Sequence, residues 1–443
     1  MKKPRCYSLM TDVVVRRTAR LKGEVCAPPS KAYTQRMLIA AALSSGTSKI
    51  SGPLVSGDTE ATLRAVEALG TKVKAAENCW SVEGVLPLKG AKEPIDCGES
   101  GATLRFMIPV AALALEPSVF LLGHSLEQRP IDPLLQSLEQ LGVEAHSQRL
   151  ADKASVFVKG GGILGGKTTM RGDVSSQFVS GLMFACPMAR ADTEITLTTP
   201  LESKGYVQMT KAVLTQHGIQ VSISEDFGSL CIPSNQTYKP CDHRVPGDFS
   251  SAAFLLVAAA ITHSEVRVKN LDLETEQGDR AILGVLKQMG VKGSACEDRV
   301  EIDGECGLLK AIDVDARNIP DLVPVCAVLA CYAEGTSKIH DAHRLRYKES
   351  DRLLSLYLEL RKMGAQIDMD ESSLTVKGPC ALHGATIDPH NDHRIAMACA
   401  VAALGASGET IIQNAECVRK SYPRFFNDLR ALGAEVVGGE FNR

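Results

Sequence analysis

The chain has 443 residues, a length that predicts two or three domains as a starting point. Lys and Arg total 49 against 52 Asp and Glu, and the resulting net charge of −3 does not fit a nucleic-acid-binding protein. No apolar run approaches the roughly 18 residues of a membrane helix. The 14 cysteines form no Cys-x-x-Cys pair that would indicate a zinc site. The N-terminus lacks the apolar segment of a secretory signal, so we expect a cytoplasmic protein.

A unit of about seventy residues recurs six times along the chain. Glycine ends an amphipathic segment at six regularly spaced positions, Gly70, Gly142, Gly218, Gly290, Gly364 and Gly433. A residue that can cap a helix precedes an Ala-rich apolar run six times, at Ser30, Ser100, Ser175, Ser250, Asp321 and Asp392. Because the two series recur with nearly the same spacing along the whole chain, we infer that one supersecondary unit was duplicated.

The sequence of each repeat predicts the same helices and strands in the same order. The Ser or Asp caps a helix of small residues, such as SKAYTQRMLIAAALSSG, whose few charges indicate an inner position. A short strand follows, and then a helix such as DTEATLRAVEALG, with apolar residues three and four apart and one buried face. Glycine in a left-handed conformation ends that helix, and an alternating hairpin completes the unit.

Two proline-bearing crossings, at Pro28-Pro29 and Pro246-Gly247, divide the chain into halves with three repeats each. We predict a discontinuous domain one, residues 1–28 and 248–443, and a continuous domain two, residues 29–247. The sixth repeat stops short of a full hairpin, and the strand VVVRRTARLKGEV near the N-terminus is its expected partner. Two linkers between equal halves form a hinge, so the active site is expected in the cleft between the domains.

Basic residues recur near the starts of the predicted helices in a chain that is otherwise slightly acidic. Helix N-termini favour anions, and Arg and Lys add charge that suits carboxylate and phosphate groups. The set comprises Lys31, Arg36, Arg105, Arg129, Lys348, Arg352, Arg394 and Lys420. Further polar residues that suit a phosphate oxygen are Ser175, Ser176 and Gln177, with Ser203 one strand later. Gly101 would let a ligand approach the backbone closely. One or two polyanionic ligands are therefore predicted.

Two acidic residues are candidates for proton transfer. Asp321 is expected to cap the fifth inner helix, and Glu349 lies among basic residues in RYKESDR. A carboxylate among cations can have its protonation tuned for acid–base catalysis. His390, Asp392 and His393 offer a weaker alternative, a metal site. No matching cluster recurs at equivalent repeat positions, and Asp392 is expected to cap its helix.

Ten segments resemble the 5-enolpyruvylshikimate-3-phosphate (EPSP) synthase family in order and spacing, over essentially the whole chain. They are PPSKAYTQR, SGATLR, QRPID, GDVSSQF, ESKGY, GDFSSA, IPDLVP, RYKESDRL, NDHRIAMA and RKSYPRFF. The resemblance implies an α+β (mixed α/β) fold of two similar domains, each three copies of a β-α-β-α-β-β unit in an inside-out α/β barrel. It also implies transfer of the enolpyruvyl group of phosphoenolpyruvate to the 5-hydroxyl of shikimate 3-phosphate, without metal or organic cofactor. That reaction leads to chorismate and aromatic amino acids. We expect the protein to be a monomer.

The resemblance also assigns roles to residues at matching positions. The shikimate 3-phosphate site would comprise Lys31, Arg36, Ser175, Ser176, Gln177, Ser203, Asp321 and Lys348. The phosphoenolpyruvate site would comprise Lys31, Gly101, Arg129, Gln177, Arg352, Arg394 and Lys420. The catalytic set would be Asp321, Glu349 and Lys31. Ala32 departs from the family, which often has Ser there, and Arg344 stands where a smaller polar residue is expected.

Two other functions remain open at this point. The sister transferase that acts on UDP-N-acetylglucosamine usually carries a reactive Cys before the segment that matches QRPID. This chain has no Cys between Cys97 and Cys186. A hinge-bending binding protein for a phosphorylated anion would need the cations, but it would not need Asp321 and Glu349 to face the ligand. Phosphate release from the two substrates distinguishes all three functions.

Overall fold

The structure, a computed structural model, describes residues 12–76, 78–304 and 307–441, which group into two compact units. Unit 1 consists of the described residues of Met1–Pro28, Gly247–Leu273 and Asp279–Arg443, and unit 2 of those of Pro29–Pro246 and Glu274–Gly278. The predicted domains differ from these units at residue 247 and at 274–278. Within unit 2, Thr275 Oγ1 of this short segment lies 3.5 Å from the Tyr33 hydroxyl. The parts of the predicted domain one at 1–11 and 442–443 lie outside the described residues.

Unit 2 contains three four-stranded sheets with the same strand order. In each sheet an edge strand runs parallel to its neighbour, and the remaining strands pair antiparallel. The first consists of β14 (His243–Arg244), β3 (Gly46–Ser51), β5 (Cys79–Gly84) and β4 (Lys72–Ala76). The second consists of β6 (Ile95–Asp96), β7 (Ser118–Leu121), β9 (Lys153–Val158) and β8 (Ala145–Leu150). The third consists of β10 (Gly166–Met170), β11 (Thr193–Leu197), β13 (Ser229–Ile232) and β12 (Ser222–Ile223).

The helices of unit 2 form an inner and an outer group. The inner helices are α1 (Lys31–Ala42), α3 (Gly101–Ala111) and α6 (Ser176–Ala185). The others are α2 (Gly57–Ala68), α4 (His124–Glu127), α5 (Asp132–Gln140), α7 (Lys204–Gln216) and the 3₁₀ helix Cys186–Met188. Ser30, Ser100 and Ser175 each accept a backbone hydrogen bond from the first turn of an inner helix, so these three predicted caps are confirmed.

Unit 1 repeats the same sheet order three times. One sheet consists of β23 (Thr386–Ile387), β24 (Glu409–Ile412), β1 (Val13–Arg16) and β25 (Val436–Val437). Another consists of β16 (Gly293–Cys296), β17 (Arg299–Ile302), β15 (Glu265–Lys269) and β2 (Lys22–Cys26). The third consists of β18 (Leu309–Lys310), β20 (Ala333–His340), β22 (Leu374–Gly378) and β21 (Ile367–Met369), with β19 (Asp313–Asp315) also paired to β20. Strand β1 pairs with β24 and β25, so the strand near the N-terminus completes the sixth repeat as predicted.

The inner helices of unit 1 are α8 (Phe249–Ile261), α10 (Val323–Tyr332) and α12 (His393–Gly405). The others are α9 (Ile282–Gln288), α11 (Arg352–Lys362), α13 (Phe425–Ala431) and the 3₁₀ helices His343–Tyr347 and Ala415–Lys420, and the 3₁₀ helix Gly278–Ala281 lies at the boundary between the two units. Asp392 caps α12 as predicted. The predicted cap of α8 is wrong, because Asp248 is the cap and Ser250 lies in the first turn, donating to Asp248. The predicted cap of α10 is also wrong: Leu322 is at the N-cap position, without a side-chain bond, and Asp321 precedes it.

Each unit has its own hydrophobic core, which the inner helices fill. All 13 residues of α8 are buried, and its Ala-rich sequence lets neighbouring elements approach closely. The Ala-rich helices therefore lie in the cores of the two units, as their few charges predict. Among the residues that the structure describes, no helix combines the length and the apolar character needed to cross a membrane.

Close packing of α3 and α6 requires the glycine at position 181. An added Cβ there would lie 2.3 Å from the Arg105 carbonyl oxygen. Four residues further along α3, Pro109 has no N–H to donate to that carbonyl. We expect Gly181→Ala to lower the free energy of unfolding by about 1 to 3 kcal/mol through overpacking. Urea unfolding followed by circular dichroism measures the change.

Gly284 in α9 is the matched control, because it is an exposed helical glycine with no atom within 4 Å of an added Cβ. Gly284→Ala should raise the free energy of unfolding by about 0.5 to 1 kcal/mol. Equal effects of the two substitutions would contradict the close α3–α6 packing.

Candidate active site

Three inner helices of unit 1 begin around the guanidinium of Arg394. This residue is in the first turn of α12, and its Nη2 donates to Ser250 Oγ at 2.9 Å and to Asp321 Oδ2 at 3.0 Å. Ser250 is in the first turn of α8, and Asp321 lies just before α10. A helix N-terminus carries partial positive charge, and a buried guanidinium adds more, so this place favours anions.

Arg352, the first residue of α11, binds three carboxylates at once. Its Nε donates to Asp392 Oδ2 at 2.8 Å, its Nη1 to Asp321 Oδ1 at 3.0 Å and its Nη2 to Glu349 Oε2 at 2.6 Å. The side chains of Arg352 and Asp392 are 1% and 0% exposed, so the hydrogen bonds must offset a large desolvation cost. Burial acts to lower the pKa of Arg352, but Asp392, Glu349 and Asp321 together raise it above its usual range.

Asp321 is ionised in this arrangement. Burial acts to raise the pKa of its carboxyl group, but the charges of Arg394, Lys348 and Arg352 outweigh burial and hold the pKa well below its usual range. Both carboxylate oxygens are bound by arginines, and this explains why Asp321 does not cap α10. The sequence-based expectation of a capping role is therefore corrected by a tertiary contact.

Lys348 lies beside the same carboxylate, with its Nζ 3.9 Å from Asp321 Oδ1. Burial, followed by repulsion from Arg352 and Arg344, lowers the pKa of Lys348 to about 8 against the attraction of Asp321. A lysine with such a pKa changes its charge near neutral pH, unlike an exposed lysine. Arg344 is buried and donates to the Arg317 carbonyl at 2.8 Å.

The last predicted cation of unit 1 is Lys420, at the end of the 3₁₀ helix Ala415–Lys420. Its Nζ is buried and has no hydrogen-bond partner among the described residues. A buried ammonium without a partner is costly, so an anionic ligand at this point would be strongly favoured.

In unit 2, the predicted residues lie near the starts of the inner helices α1 and α3. Lys31 Nζ forms a salt bridge of 2.8 Å with Asp58 Oδ2, and both side chains are largely buried. The Gln35 amide donates to the Asp58 carbonyl at 3.2 Å and to Ser100 Oγ at 3.4 Å. Gln35 therefore connects the Lys31–Asp58 pair to the start of α3, where Gly101 is the first residue.

Gly101 and Arg129 are in direct contact. A Cβ built on Gly101 would lie 3.0 to 3.1 Å from the Arg129 guanidinium, so this glycine lets the guanidinium lie against the start of α3. The Nε of Arg129 is buried and has no partner among the described residues. Arg105 lies nearby, because its Nη2 donates to the Pro130 carbonyl at 3.1 Å and its Nη1 to Gln177 Oε1 at 2.8 Å.

Arg36 and Ser203 are positioned by α7. Arg36 is buried, and its guanidinium donates to Thr210 Oγ1 at 2.8 Å and to the Tyr206 carbonyl at 3.1 Å. Desolvation lowers the pKa of Arg36 to about 10, which leaves it charged at neutral pH. Ser203, at the N-cap position of α7, has a left-handed backbone with φ 57° and makes no side-chain cap. A non-glycine residue held in that conformation is often found at a functional site.

The three residues of the alternative metal site do not converge. His390 Nε2 lies 3.0 Å from Glu359 Oε1, whereas Asp392 binds Arg352 and caps α12. His393 is a buried residue of α12. The structure therefore gives His390 and Asp392 separate partners.

Sequence reasoning missed several residues of the site. Asp58 is one of them, an acidic residue in the first turn of α2, where the helix dipole favours negative charge. Asp392 was expected only to cap α12, but it also neutralises Arg352. Ser250 was expected to cap α8, but its hydroxyl accepts from Arg394. These contacts join residues at least 27 positions apart, so no local pattern indicates them.

The fold is that of the enolpyruvyl transferases. The enolpyruvyl transferase NikO from Streptomyces tendae superposes with a TM-score of 0.79 at 19% identity, over 96% of this chain and 98% of that one. An EPSP synthase from Acinetobacter baumannii superposes with a TM-score of 0.81 at 25% identity, over 96% of this chain and all of the other. The fold class expected from the resemblance is confirmed.

The sequence profile of EPSP synthase (3-phosphoshikimate 1-carboxyvinyltransferase) matches residues 15–429. The 3-phosphoshikimate 1-carboxyvinyltransferase of Methanocaldococcus jannaschii is 42% identical over 96% of this chain and 99% of its own length. The protein of that name from Methanocella arvoryzae is 44% identical over 94% of this chain and 97% of its own length. The chain belongs to the EPSP synthase family.

Removal of one partner from the buried pair of Arg352 and Asp392 should strongly destabilise unit 1. Asp392→Ala removes the cap of α12 and leaves a buried guanidinium with fewer partners. We expect the free energy of unfolding to fall by about 3 to 5 kcal/mol. Thermal unfolding measured by circular dichroism or calorimetry tests this.

Asp351→Ala is the matched control. Asp351 caps α11 and pairs with Arg346 at 2.8 Å, but both side chains are about one-third exposed. Its loss should cost only about 1 kcal/mol. A similar loss of stability in the two variants would show that burial of the Arg352–Asp392 pair has no special importance.

Proposed function

We propose that the chain transfers the enolpyruvyl group of phosphoenolpyruvate to the 5-hydroxyl of shikimate 3-phosphate and releases phosphate. This reaction belongs to the EPSP synthase family and serves aromatic amino acid biosynthesis through chorismate. We also propose that the protein is a monomer in the cytoplasm. The observation that carries the proposed reaction is the carboxylate of Asp321, bound by Arg352 and Arg394 at 3.0 Å each. Adding an alcohol to an enol phosphate calls for such an acid–base group among cations.

Both substrates are polyanions, and the proposal assigns each a set of residues. Shikimate 3-phosphate contacts Lys31, Arg36, Ser175, Ser176, Gln177, Ser203, Asp321 and Lys348. Phosphoenolpyruvate contacts Lys31, Gly101, Arg129, Gln177, Arg352, Arg394 and Lys420. The unpartnered Nζ of Lys420 and Nε of Arg129 support the second set, because a bound anion would satisfy both donors. The planar guanidiniums of Arg352 and Arg394 suit a carboxylate.

Asp321 is a weak base while two arginines bind its oxygens. If the substrate carboxylate takes hydrogen bonds from Arg352 and Arg394, the charge on Asp321 is less compensated and its basicity rises. Phosphoenolpyruvate binding would thereby prepare Asp321 to accept the proton of the 5-hydroxyl. This order of events explains how a carboxyl group with a strongly lowered pKa can act as a base.

The remaining steps need one proton donor and one cation. Glu349, whose carboxylate also loses its bond to Arg352, takes a proton from Lys348 and gives it to C3 as the hydroxyl oxygen bonds to C2, and a tetrahedral adduct forms. Glu349 then takes the proton back from C3 while the C2–O bond to phosphate breaks, which leaves the enol ether. Asp321 gives the proton of the 5-hydroxyl to the departing phosphate. Lys31, 2.8 Å from Asp58, supplies positive charge to the departing phosphate. Exclusion of water protects the adduct from hydrolysis.

Phosphate release in the presence of both substrates tests the function and the two acids together. Asp321→Ala and Glu349→Gln should each lower turnover by roughly a hundredfold or more, as is typical of general acid–base groups. Shikimate 3-phosphate affinity, measured by calorimetry, should survive better in Glu349→Gln than in Asp321→Ala, because only Asp321 is assigned to that ligand. Asp351→Asn is the control and should keep normal turnover.

Three results would contradict the proposal. Release of phosphate with UDP-N-acetylglucosamine as acceptor, and none with shikimate 3-phosphate, would indicate the sister transferase. Tight shikimate 3-phosphate binding without phosphate release would indicate a binding protein. Near-normal turnover in either acid variant would remove that residue from the mechanism.

The pKa of Lys348 makes shikimate 3-phosphate binding sensitive to alkaline pH. Lys348 is charged below its pKa of about 8 and loses its proton as the pH rises through that value. The phosphate stays a dianion above about pH 7, because its second pKa is about 6. We therefore expect the dissociation constant to rise about tenfold between pH 7 and pH 9. Calorimetry at a series of pH values measures it.

Lys348→Arg provides the control, because a guanidinium stays charged over this range. Its affinity should be independent of pH from 7 to 9. A parallel loss of affinity in both proteins would show that another group titrates.

A further inference from the structure

Glu99 connects two segments that flank the contact between Gly101 and Arg129. It lies one residue before Ser100, the cap of α3. Its Oε2 accepts hydrogen bonds from the backbone N–H groups of Ser125 at 3.0 Å and Leu126 at 3.1 Å, and from the Ser125 hydroxyl. These three donors are in α4, the four-residue helix that ends just before Arg129.

The two segments are also packed directly against each other. The Gly123 N–H donates to the Gly98 carbonyl at 2.8 Å. A Cβ added to Gly123 would lie 2.4 Å from Glu99 Oε1 and 2.5 Å from the Gly98 carbonyl oxygen. Gly123 has an ordinary φ of −71°, so lack of space, and not backbone conformation, requires glycine there. The position of α4 is therefore coupled to that of Glu99.

A helix of four residues leaves the N–H groups of its first turn without acceptors inside the helix. Gly123, at the N-cap position, has no side chain that could accept their hydrogen bonds. Glu99 supplies the missing acceptor from a different segment, and its negative charge also suits a helix N-terminus. At the other end of α4, the Arg129 N–H donates to the Leu126 carbonyl at 3.1 Å. Hydrogen bonds therefore link Glu99, through α4, to the backbone of Arg129.

We propose that Glu99 is a positioning residue for phosphoenolpyruvate, which holds α4 so that the Arg129 guanidinium stays against Gly101. This inference rests on the proposed function, in which Arg129 binds phosphoenolpyruvate. Glu99 acts through Arg129 and leaves the shikimate 3-phosphate residues of unit 2 in place. Its removal therefore affects one substrate and not the other.

Steady-state kinetics on Glu99→Ala tests the proposal. The KM for phosphoenolpyruvate should rise about tenfold, comparable to the loss of a helix cap, while kcat and the dissociation constant of shikimate 3-phosphate stay within about twofold. Glu99→Gln should recover most of the affinity, because its amide oxygen can accept the same hydrogen bonds. Glu127→Ala is the control in the same helix, since Glu127 pairs with Arg149 at the surface, and it should have no effect.

Arg129→Ala separates this inference from the proposed function. If Arg129→Ala leaves the KM for phosphoenolpyruvate unchanged, the assignment of Arg129 is wrong. If Arg129→Ala raises that KM and Glu99→Ala does not, the role of Glu99 is overturned. The double variant should be no worse than Arg129→Ala, and additive losses would overturn an action through Arg129.

Two further measurements distinguish a positioning role of Glu99 from general support of the fold. An equal loss of shikimate 3-phosphate affinity in Glu99→Ala would show that Glu99 only supports the fold of unit 2, and would overturn the proposal. Ser125→Ala removes a single donor to Glu99 and is the milder variant if Glu99→Ala does not fold. It should raise the KM for phosphoenolpyruvate about twofold to threefold, and an unchanged KM in that case would overturn the proposal.

Discussion

The meeting of three helix N-termini around one buried guanidinium sets the electrostatics of unit 1. Each helix brings partial positive charge to the same place, and Arg394 and Arg352 add two full charges out of contact with water. Such a concentration of charge is stable only with carboxylates beside it. Asp321 and Asp392 supply them, and their hydrogen bonds fix the arginines. An anion bound at this place would compete with internal carboxylates for the same donors.

The inner helices of the two units are capped by different kinds of side chain. In unit 2 the inner helices are capped by neutral side chains, Ser30, Ser100 and Ser175. In unit 1 acidic side chains cap α8 and α12, Asp248 and Asp392. Neutral caps leave the positive potential of the helix ends in unit 2 uncompensated, whereas the acidic caps in unit 1 compensate part of it.

Periodicity made the fold predictable, and tertiary contacts limited what the sequence could say about the site. The six repeats, the inner helices and the pairing of β1 follow from residues that recur at fixed spacing. The cap prediction failed at Ser250 because Asp248, two residues earlier, is the acceptor there. It failed at Asp321 because Arg352, 31 residues later in the same repeat, and Arg394, from the following repeat, bind that carboxylate. Contacts of this kind depend on how the elements of a repeat fold back on each other and on how neighbouring repeats pack, which local sequence patterns do not encode.

The pairing of β1 has a consequence for the order in which the protein is made. Val14 pairs with Ile411, which leaves the ribosome on the order of 400 residues later. At ordinary rates of synthesis, β1 therefore has no partner strand for about 20 to 80 s. All of unit 2 lies before residue 279 and is complete long before Ile411 is made. During this interval three consecutive valines form an unpaired strand edge. Arg16 and Arg17, which follow them directly, are the kind of charged residues that keep such a strand from pairing with another nascent chain.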